Sequence, residues 1–82
     1  MTVFDGTTIT IDPSDYKGML SLMARANEPD FEMPWSGKND VGENMLISVN
    51  SDNITVQTFQ SNGWTRENVY WNDGTVEELF ER

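Results

Sequence analysis

The sequence has no cysteine and no histidine among its 82 residues. The absence of cysteine excludes disulfide bonds, thiolate zinc sites and a cysteine nucleophile. The absence of histidine excludes an imidazole general base, and with it any Ser-His-Asp triad. These two absences remove the commonest catalytic groups from the chain.

Long apolar segments are also missing, since no run approaches the ~18 residues that a membrane-spanning helix requires. The first residues, Met1 to Gly6, have neither the basic region nor the apolar region of a secretory signal. We therefore expect a cytoplasmic protein that does not associate with membranes.

Motifs for cofactors and metals are absent as well. The sequence has no glycine-rich phosphate loop of either standard type. Glu28, Asp30 and Glu32 begin the spacing of a calcium-binding loop, but Met33 occupies the position that requires glycine. A chain this small rarely forms the sugar cleft that a pair of catalytic carboxylates needs. We therefore expect no cofactor, no metal and no enzymatic activity.

Acidic residues are the feature that the sequence has in excess. Fourteen Asp and Glu residues against five Lys and Arg give a net charge of −9. A small soluble domain usually carries a net charge of about 2–8 in magnitude. Such a surface repels nucleic acid and attracts basic surfaces, many of which belong to proteins that bind nucleic acid. The alternative is that the acids only maintain solubility and protect sheet edges.

The pattern of apolar residues and turns predicts a single α+β domain over residues 1–82. Its main part is a four-stranded antiparallel meander over residues 45–81, with turns at three polar dipeptides that suit hairpins. These dipeptides are Ser51-Asp52, Asn62-Gly63 and Asp73-Gly74.

Two-residue turns at all three places predict a specific register. Val49 then faces Ile54, and Val56 faces Val69. One sheet face would collect nine apolar residues, a set that a slip of one residue would scatter. Residues 75–81 also suit a short helix, and this alternative stays open. The nine residues are Met45, Ile47, Val49, Ile54, Val56, Val69, Trp71, Val76 and Phe80.

A helix over about residues 14–26 is predicted to cover this apolar face. Tyr16, Met19, Leu20 and Met23 recur at the spacing of one helical face. The helix also contains a glycine at position 18, which we expect to permit a close approach between helix and sheet.

The remaining segments give weaker patterns. Residues 2–11 predict a short hairpin that turns at Asp5-Gly6. Residues 27–44 show no periodicity, and a connection of this length in a small domain is usually functional or disordered. Its aromatic residues favour packing of at least part of the segment.

The second sheet face is a candidate interaction surface. The predicted register places Phe59 beside Arg66 on this face, with Tyr70 nearby and Arg66 across from Glu81. Planar side chains on a half-apolar open face are typical of binding surfaces. The alternative is ordinary cross-strand pairing on a solvated face.

Acidic residues of two segments, together with aromatic anchors, complete the predicted partner-binding set. The carboxylates would mimic phosphates and occupy the nucleic-acid groove of a partner. The full set is Glu28, Asp30, Glu32, Trp35, Phe59, Arg66, Tyr70, Glu77, Glu78 and Glu81.

The stretch from Asn62 to Tyr70, followed by Asp73 to Glu78, resembles the C-terminal part of small uncharacterised proteins from phages and mobile elements of Gram-positive bacteria. In size and charge the chain resembles anti-CRISPR proteins, several of which are small acidic α+β domains. This resemblance implies a protein that acts in the host bacterial cytosol and blocks the DNA-binding surface of a Cas effector.

The sequence therefore leads to one main functional hypothesis and one alternative. The main hypothesis is a stoichiometric inhibitor that binds the basic surface of a nucleic-acid-binding defence protein, a Cas effector in particular, and does not itself bind nucleic acid. The alternative is a structural or adaptor module that self-associates through a sheet edge or a sheet face. Both a monomer and a homodimer are compatible with the sequence.

Overall fold

The computed structural model describes residues 1–4, 8–28, 31 and 34–81. This part of the chain forms one α-helix, a five-stranded antiparallel sheet and a separate two-stranded hairpin. The predicted α+β class is confirmed, and the sheet has one strand more than the four predicted. No helix within the described residues is long and apolar enough to cross a membrane.

The sheet order is β3-β4-β5-β6-β7, so each strand pairs with its neighbour in sequence and β3 and β7 form the edges. The last segment is a strand, which settles the choice between strand and helix. The elements are β1 Val3–Phe4, β2 Ile9–Thr10, α1 Tyr16–Ala24, a 3-10 turn Arg25–Asn27, β3 Trp35–Lys38, β4 Asn44–Val49, β5 Asn53–Phe59, β6 Thr65–Trp71 and β7 Val76–Glu81.

Three of the four hairpin connections in the five-stranded sheet share one turn geometry. In each, the residue before the loop donates its N–H to the carbonyl of the residue four positions further along the chain. The carbonyl of the residue before the loop also accepts the N–H of the glycine, which lies three positions after it. The glycines Gly42, Gly63 and Gly74 have φ angles of 84°, 91° and 90°, where a side chain is strongly disfavoured. These are three-residue loops that end in a left-handed glycine.

The remaining connection, Ser51-Asp52, is the two-residue turn that the sequence predicts. The Asn50 N–H donates to the Asn53 carbonyl over 2.8 Å. Val49 accordingly pairs with Ile54, as predicted.

The β5–β6 register differs from the prediction by one residue. Val56 pairs with Asn68 and not with Val69, while Ile54 pairs with Tyr70. The cause is the turn, because residues 61–63 form a three-residue loop where the prediction had two residues. A shift of one residue moves every side chain of β6 to the opposite face of the sheet.

The shift rearranges the two sheet faces. We call the side that packs against α1 the helix face and the other side the open face. Arg66 and Tyr70 lie on the helix face, whereas Phe59, Val69 and Trp71 lie on the open face. The predicted grouping of Phe59 with Arg66 and Tyr70 is therefore wrong. Val69 and Trp71 were predicted on the helix face and lie on the open face instead, although Val69 is buried there at 9% exposure.

A second three-residue loop, before β7, shifts the register again. Arg66 pairs with Phe80, so its predicted position across from Glu81 is wrong. The two shifts cancel in β7, and Val76 and Phe80 therefore lie on the helix face as predicted.

The core lies between α1 and the helix face. Leu22 belongs to it although the predicted helical face omits it, and Tyr16 is 46% exposed although that face includes it. The Tyr16 hydroxyl donates to the Asn72 carbonyl at the edge of the core. The buried cluster consists of Met19, Leu22, Met23, Ile47, Val49, Ile54 and Val56.

The N-terminus of α1 is capped by Asp15, which accepts the Gly18 N–H over 3.1 Å. A Cβ atom at Gly18 would collide with the Asp15 carboxylate. Gly18 therefore makes room for the cap, and the predicted role in helix–sheet approach is replaced by this one.

The β1–β2 hairpin pairs Phe4 with Ile9 and packs both side chains against the core cluster. It is tied to the start of α1, since the Thr2 N–H donates to Asp15 Oδ2 over 2.9 Å. The predicted turn at Asp5-Gly6 lies outside the described residues.

Candidate functional site

The edge strand β7 is exposed along its whole length. All six of its residues are exposed, and among the strands that the structure describes only β6 neighbours it in the sheet. Its apolar side chains are large: Val76 is 56% exposed, Leu79 47% and Phe80 53%. Edge strands in soluble proteins usually avoid such a surface, because an open edge with apolar side chains pairs readily with other chains.

Three carboxylates are interspersed among these apolar residues. Glu78 lies on the helix face and accepts the Asn68 amide over 3.1 Å. Glu77 lies on the open face and accepts the Trp71 indole N–H over 3.2 Å. Glu81 pairs with Thr65 at the end of the strand. Neither of the two ion pairs formed within the described residues involves β7, so its negative charge is not neutralised there.

A second feature is a groove on the helix face, beside the region that α1 covers. The cavity has a volume of about 390 Å³ and lies between β2, β3 and the central strands. Ile9, Ile11 and Trp35 contribute apolar side chains to its walls. Polar side chains of β5 and β6 also line it: Thr58, Arg66, Asn68 and Tyr70.

Arg66 is the unusual member of this groove. Its side chain is half-buried, and its Nε atom is inaccessible to solvent and makes no hydrogen bond. No ion pair within the described residues involves Arg66. A buried guanidinium donor without an acceptor is costly, so its retention calls for an explanation.

The surroundings of Arg66 also affect Tyr70. Burial raises the pKa of the Tyr70 hydroxyl above its ordinary value, the Arg66 charge acts in the opposite direction, and Glu78 reinforces the rise. Tyr70 therefore stays a neutral phenol at neutral pH, able to donate a hydrogen bond in the groove.

The indole of Trp35 forms one wall of the groove because its neighbour on the same face is glycine. A Cβ atom at Gly37 would collide with the Trp35 ring. Trp35 also packs against the core cluster. This position makes Trp35 a structural wall of the groove in addition to the anchor that the sequence predicts.

The other predicted partner-binding residues lie apart from these two features. Glu28 pairs with Arg25 over 2.9 Å, and the Arg25 guanidinium lies over the rings of Phe4 and Phe31. Asp30 and Glu32 lie outside the described residues. Phe59 is 44% exposed on the open face and pairs with Thr65, which in turn pairs with Glu81, so it lies at the end of the sheet where β7 ends and one strand away from it.

The structure thus brings together Glu77, Glu78 and Glu81 on one strand, and Trp35, Arg66 and Tyr70 around one groove. The sequence analysis missed Lys38, Thr58 and Asn68 as lining residues of that groove. Side chains of a strand alternate between the two sheet faces. With a three-residue loop before β6, this alternation would have placed Thr58 and Asn68 on the helix face, because each is two residues away from a residue on that face.

Comparisons with known proteins identify no relative of this chain. No family model matches the chain, and no curated protein or solved structure matches it. Within residues 1–4, 8–28, 31 and 34–81, no group of carboxylates is arranged to hold a metal ion.

Proposed function

We propose that this protein is a stoichiometric inhibitor that binds the basic surface of a nucleic-acid-binding defence protein through β7. The observation that supports this proposal is the composition of that edge strand, in which three carboxylates and three large apolar side chains are all exposed. A Cas effector is the partner that we propose, in line with the resemblance to anti-CRISPR proteins in size and charge.

The two kinds of side chain on β7 would serve different parts of binding. Carboxylates attract a cationic surface from a distance and speed association. Apolar side chains that become buried supply most of the short-range affinity. The free backbone groups of an edge strand can also pair with a strand of the partner.

Self-association through β7, the alternative function, is opposed by charge. Pairing two copies of this strand would place six carboxylates on adjacent strands, and like charges on facing positions destabilise a sheet. The net charge of −9 adds a general repulsion between copies. A basic partner meets neither obstacle.

The test uses a purified Cas effector with its guide RNA and a labelled DNA target. Fluorescence anisotropy measures DNA binding as the protein is added. We expect inhibition that saturates at a fixed molar ratio, since the protein acts by occupying a surface. The triple variant Glu77→Gln, Glu78→Gln, Glu81→Gln should weaken inhibition by about 10- to 100-fold, from the loss of three charge pairs.

A matched triple variant controls for the change in net charge. Asp40→Asn, Glu43→Gln and Asp52→Asn remove three carboxylates that lie outside β7 and outside the predicted partner-binding set. Full inhibition by this control supports the assignment to β7. An equal loss in both triple variants contradicts it, and a sedimentation result showing a stable homodimer that involves β7 favours the adaptor function instead.

A further inference from the structure

We infer that the groove around Arg66 is a binding site for a small carboxylate ligand with a flat apolar body. This inference goes beyond the proposed inhibitor function and depends on a different part of the molecule. It is carried by three observations: the Arg66 Nε atom without an acceptor, the apolar side chains among the lining residues and the size of the cavity.

The guanidinium defines the charge of the ligand. The Nε atom of Arg66 makes no hydrogen bond, and Arg66 forms no ion pair within the part of the chain that the structure describes. The chain has only five basic residues, and two of them, Arg66 and Lys38, line this one groove together with one carboxylate, Asp40. In a protein with a net charge of −9, a groove in which two cations face one carboxylate favours an anionic group.

The shape of the site favours a carboxylate. A guanidinium offers a planar fork of donors that matches the two oxygens of a carboxylate. Thr58, Asn68 and Tyr70 supply further hydrogen-bonding groups on the same face of the sheet. Once an acceptor binds, the cost of the unpaired donor on Arg66 is removed.

The walls define the rest of the ligand. Trp35, Ile9 and Ile11 contribute apolar side chains to the lining of the groove. The indole lies across Gly37, where no side chain interrupts it. A cavity of about 390 Å³ falls in the range of small-molecule sites. A flat aromatic or aliphatic body packed against these side chains would bury apolar surface.

The test uses 2-naphthoate as the probe and 2-naphthamide, which has the same shape without the charge, as the matched control. Titrations are followed by amide chemical shifts in two-dimensional NMR spectra of the whole protein. We expect 2-naphthoate to bind with a Kd on the order of 1 mM, as suits a probe of this size. The shifts should concentrate at Thr58, Arg66, Asn68 and Tyr70, and 2-naphthamide should bind at least about tenfold more weakly.

Variants identify the guanidinium as the anchor. Arg66→Gln should weaken 2-naphthoate binding at least about tenfold, and Arg66→Lys should give an intermediate affinity because it keeps the charge without the fork. Lys17→Gln removes the same charge from an exposed position on α1 and should leave the affinity unchanged. If Arg66→Gln does not fold, Lys38→Gln at the groove takes its place, with a smaller loss expected.

Four results would overturn the inference. They are shifts that fall outside the groove, equal affinity for naphthoate and naphthamide, an equal loss from Lys17→Gln and Arg66→Gln, or binding of inorganic phosphate as strong as that of 2-naphthoate. The last result would point to an anion site that makes no use of the apolar walls.

Discussion

Thr58 and Arg66 lie directly opposite each other in the β5–β6 pair, with Thr58 only 3% exposed. This pairing places the arginine on the helix face, in the groove and away from Phe59. It results from a single extra residue in the turn before β6. One local choice of turn therefore decides which residues of β6 form the site.

Cross-linking tests this register directly, because the chain has no native cysteine. The double variant Thr55→Cys, Val69→Cys joins two facing residues of the open face and should form a disulfide on mild oxidation. The double variant Thr55→Cys, Tyr70→Cys places cysteines at two residues that would face each other only if the turn before β6 had two residues. This variant should stay reduced, as measured by gel mobility and thiol titration. A reversal of the two outcomes would contradict the register.

The turn glycines should resist substitution for a backbone reason alone. Gly63 has a φ angle of 91°, and a Cβ atom there would meet nothing within 4 Å. Gly63→Ala should therefore lower the free energy of unfolding by about 1–2 kcal/mol, from the left-handed conformation only. Gly63→Asn should lower it less, because asparagine tolerates that region better. Urea denaturation measures both, and equal losses would argue against this conformation.

The sequence predicted the connection Ser51-Asp52 correctly and the next two connections incorrectly, for a physical reason. Asn62-Gly63 and Asp73-Gly74 suit a two-residue turn, but the same glycine also suits the last position of a three-residue loop. Sequence alone does not separate the two. The strand β3 was missed because Ser36, Gly37 and Lys38 offer no apolar alternation.

The candidate site was predictable only in part, because some of its residues depend on the β5–β6 register and others do not. The acids of β7 follow from the sequence, since exposure of a C-terminal acidic segment does not depend on register. Arg66 and Tyr70 were identified as functional candidates, but on the wrong face and with Phe59 as a neighbour. Their joint position with Trp35 needs both β3 and the corrected register, and neither is visible in the sequence.

Gly18 and Asp15 should be energetically coupled. Gly→Ala in a helix usually stabilises by up to about 1 kcal/mol. In the wild-type background Gly18→Ala should instead destabilise, because the new methyl group displaces the carboxylate that caps the helix. In the background of Asp15→Ala the same change should stabilise. A double-mutant cycle by chemical denaturation measures the coupling, and identical effects in both backgrounds would contradict it.

The contact between the N-terminus and Asp12 predicts how stability depends on pH. The hydrogen bond from the terminal ammonium, followed by those from Ser14, lowers the pKa of Asp12 to about 2. A carboxylate with a lowered folded-state pKa stabilises the fold fully above its unfolded value. That contribution is lost as the pH falls from the ordinary value of 3.8 through about 2.

Thermal unfolding at a series of pH values checks this dependence. The Tm of the wild type should fall over that acid range, and the Tm of Asp12→Asn should fall less, because the titrating group is gone. Asp40→Asn, at an exposed position in the β3–β4 turn, should follow the wild type. A parallel fall of Tm in wild type and Asp12→Asn would show that Asp12 does not contribute.

The central claim is that the carboxylates of β7 engage a cationic surface. The most direct measurement is the Kd for a guide-loaded Cas effector as NaCl is raised from about 50 mM to about 500 mM, for the wild type and for the triple variant Glu77→Gln, Glu78→Gln, Glu81→Gln. Because salt screens exposed charges, the wild-type affinity should fall at least about tenfold over this range, and the variant should show a flatter dependence. A wild-type affinity that is insensitive to salt, or the same salt dependence in both proteins, would contradict the account.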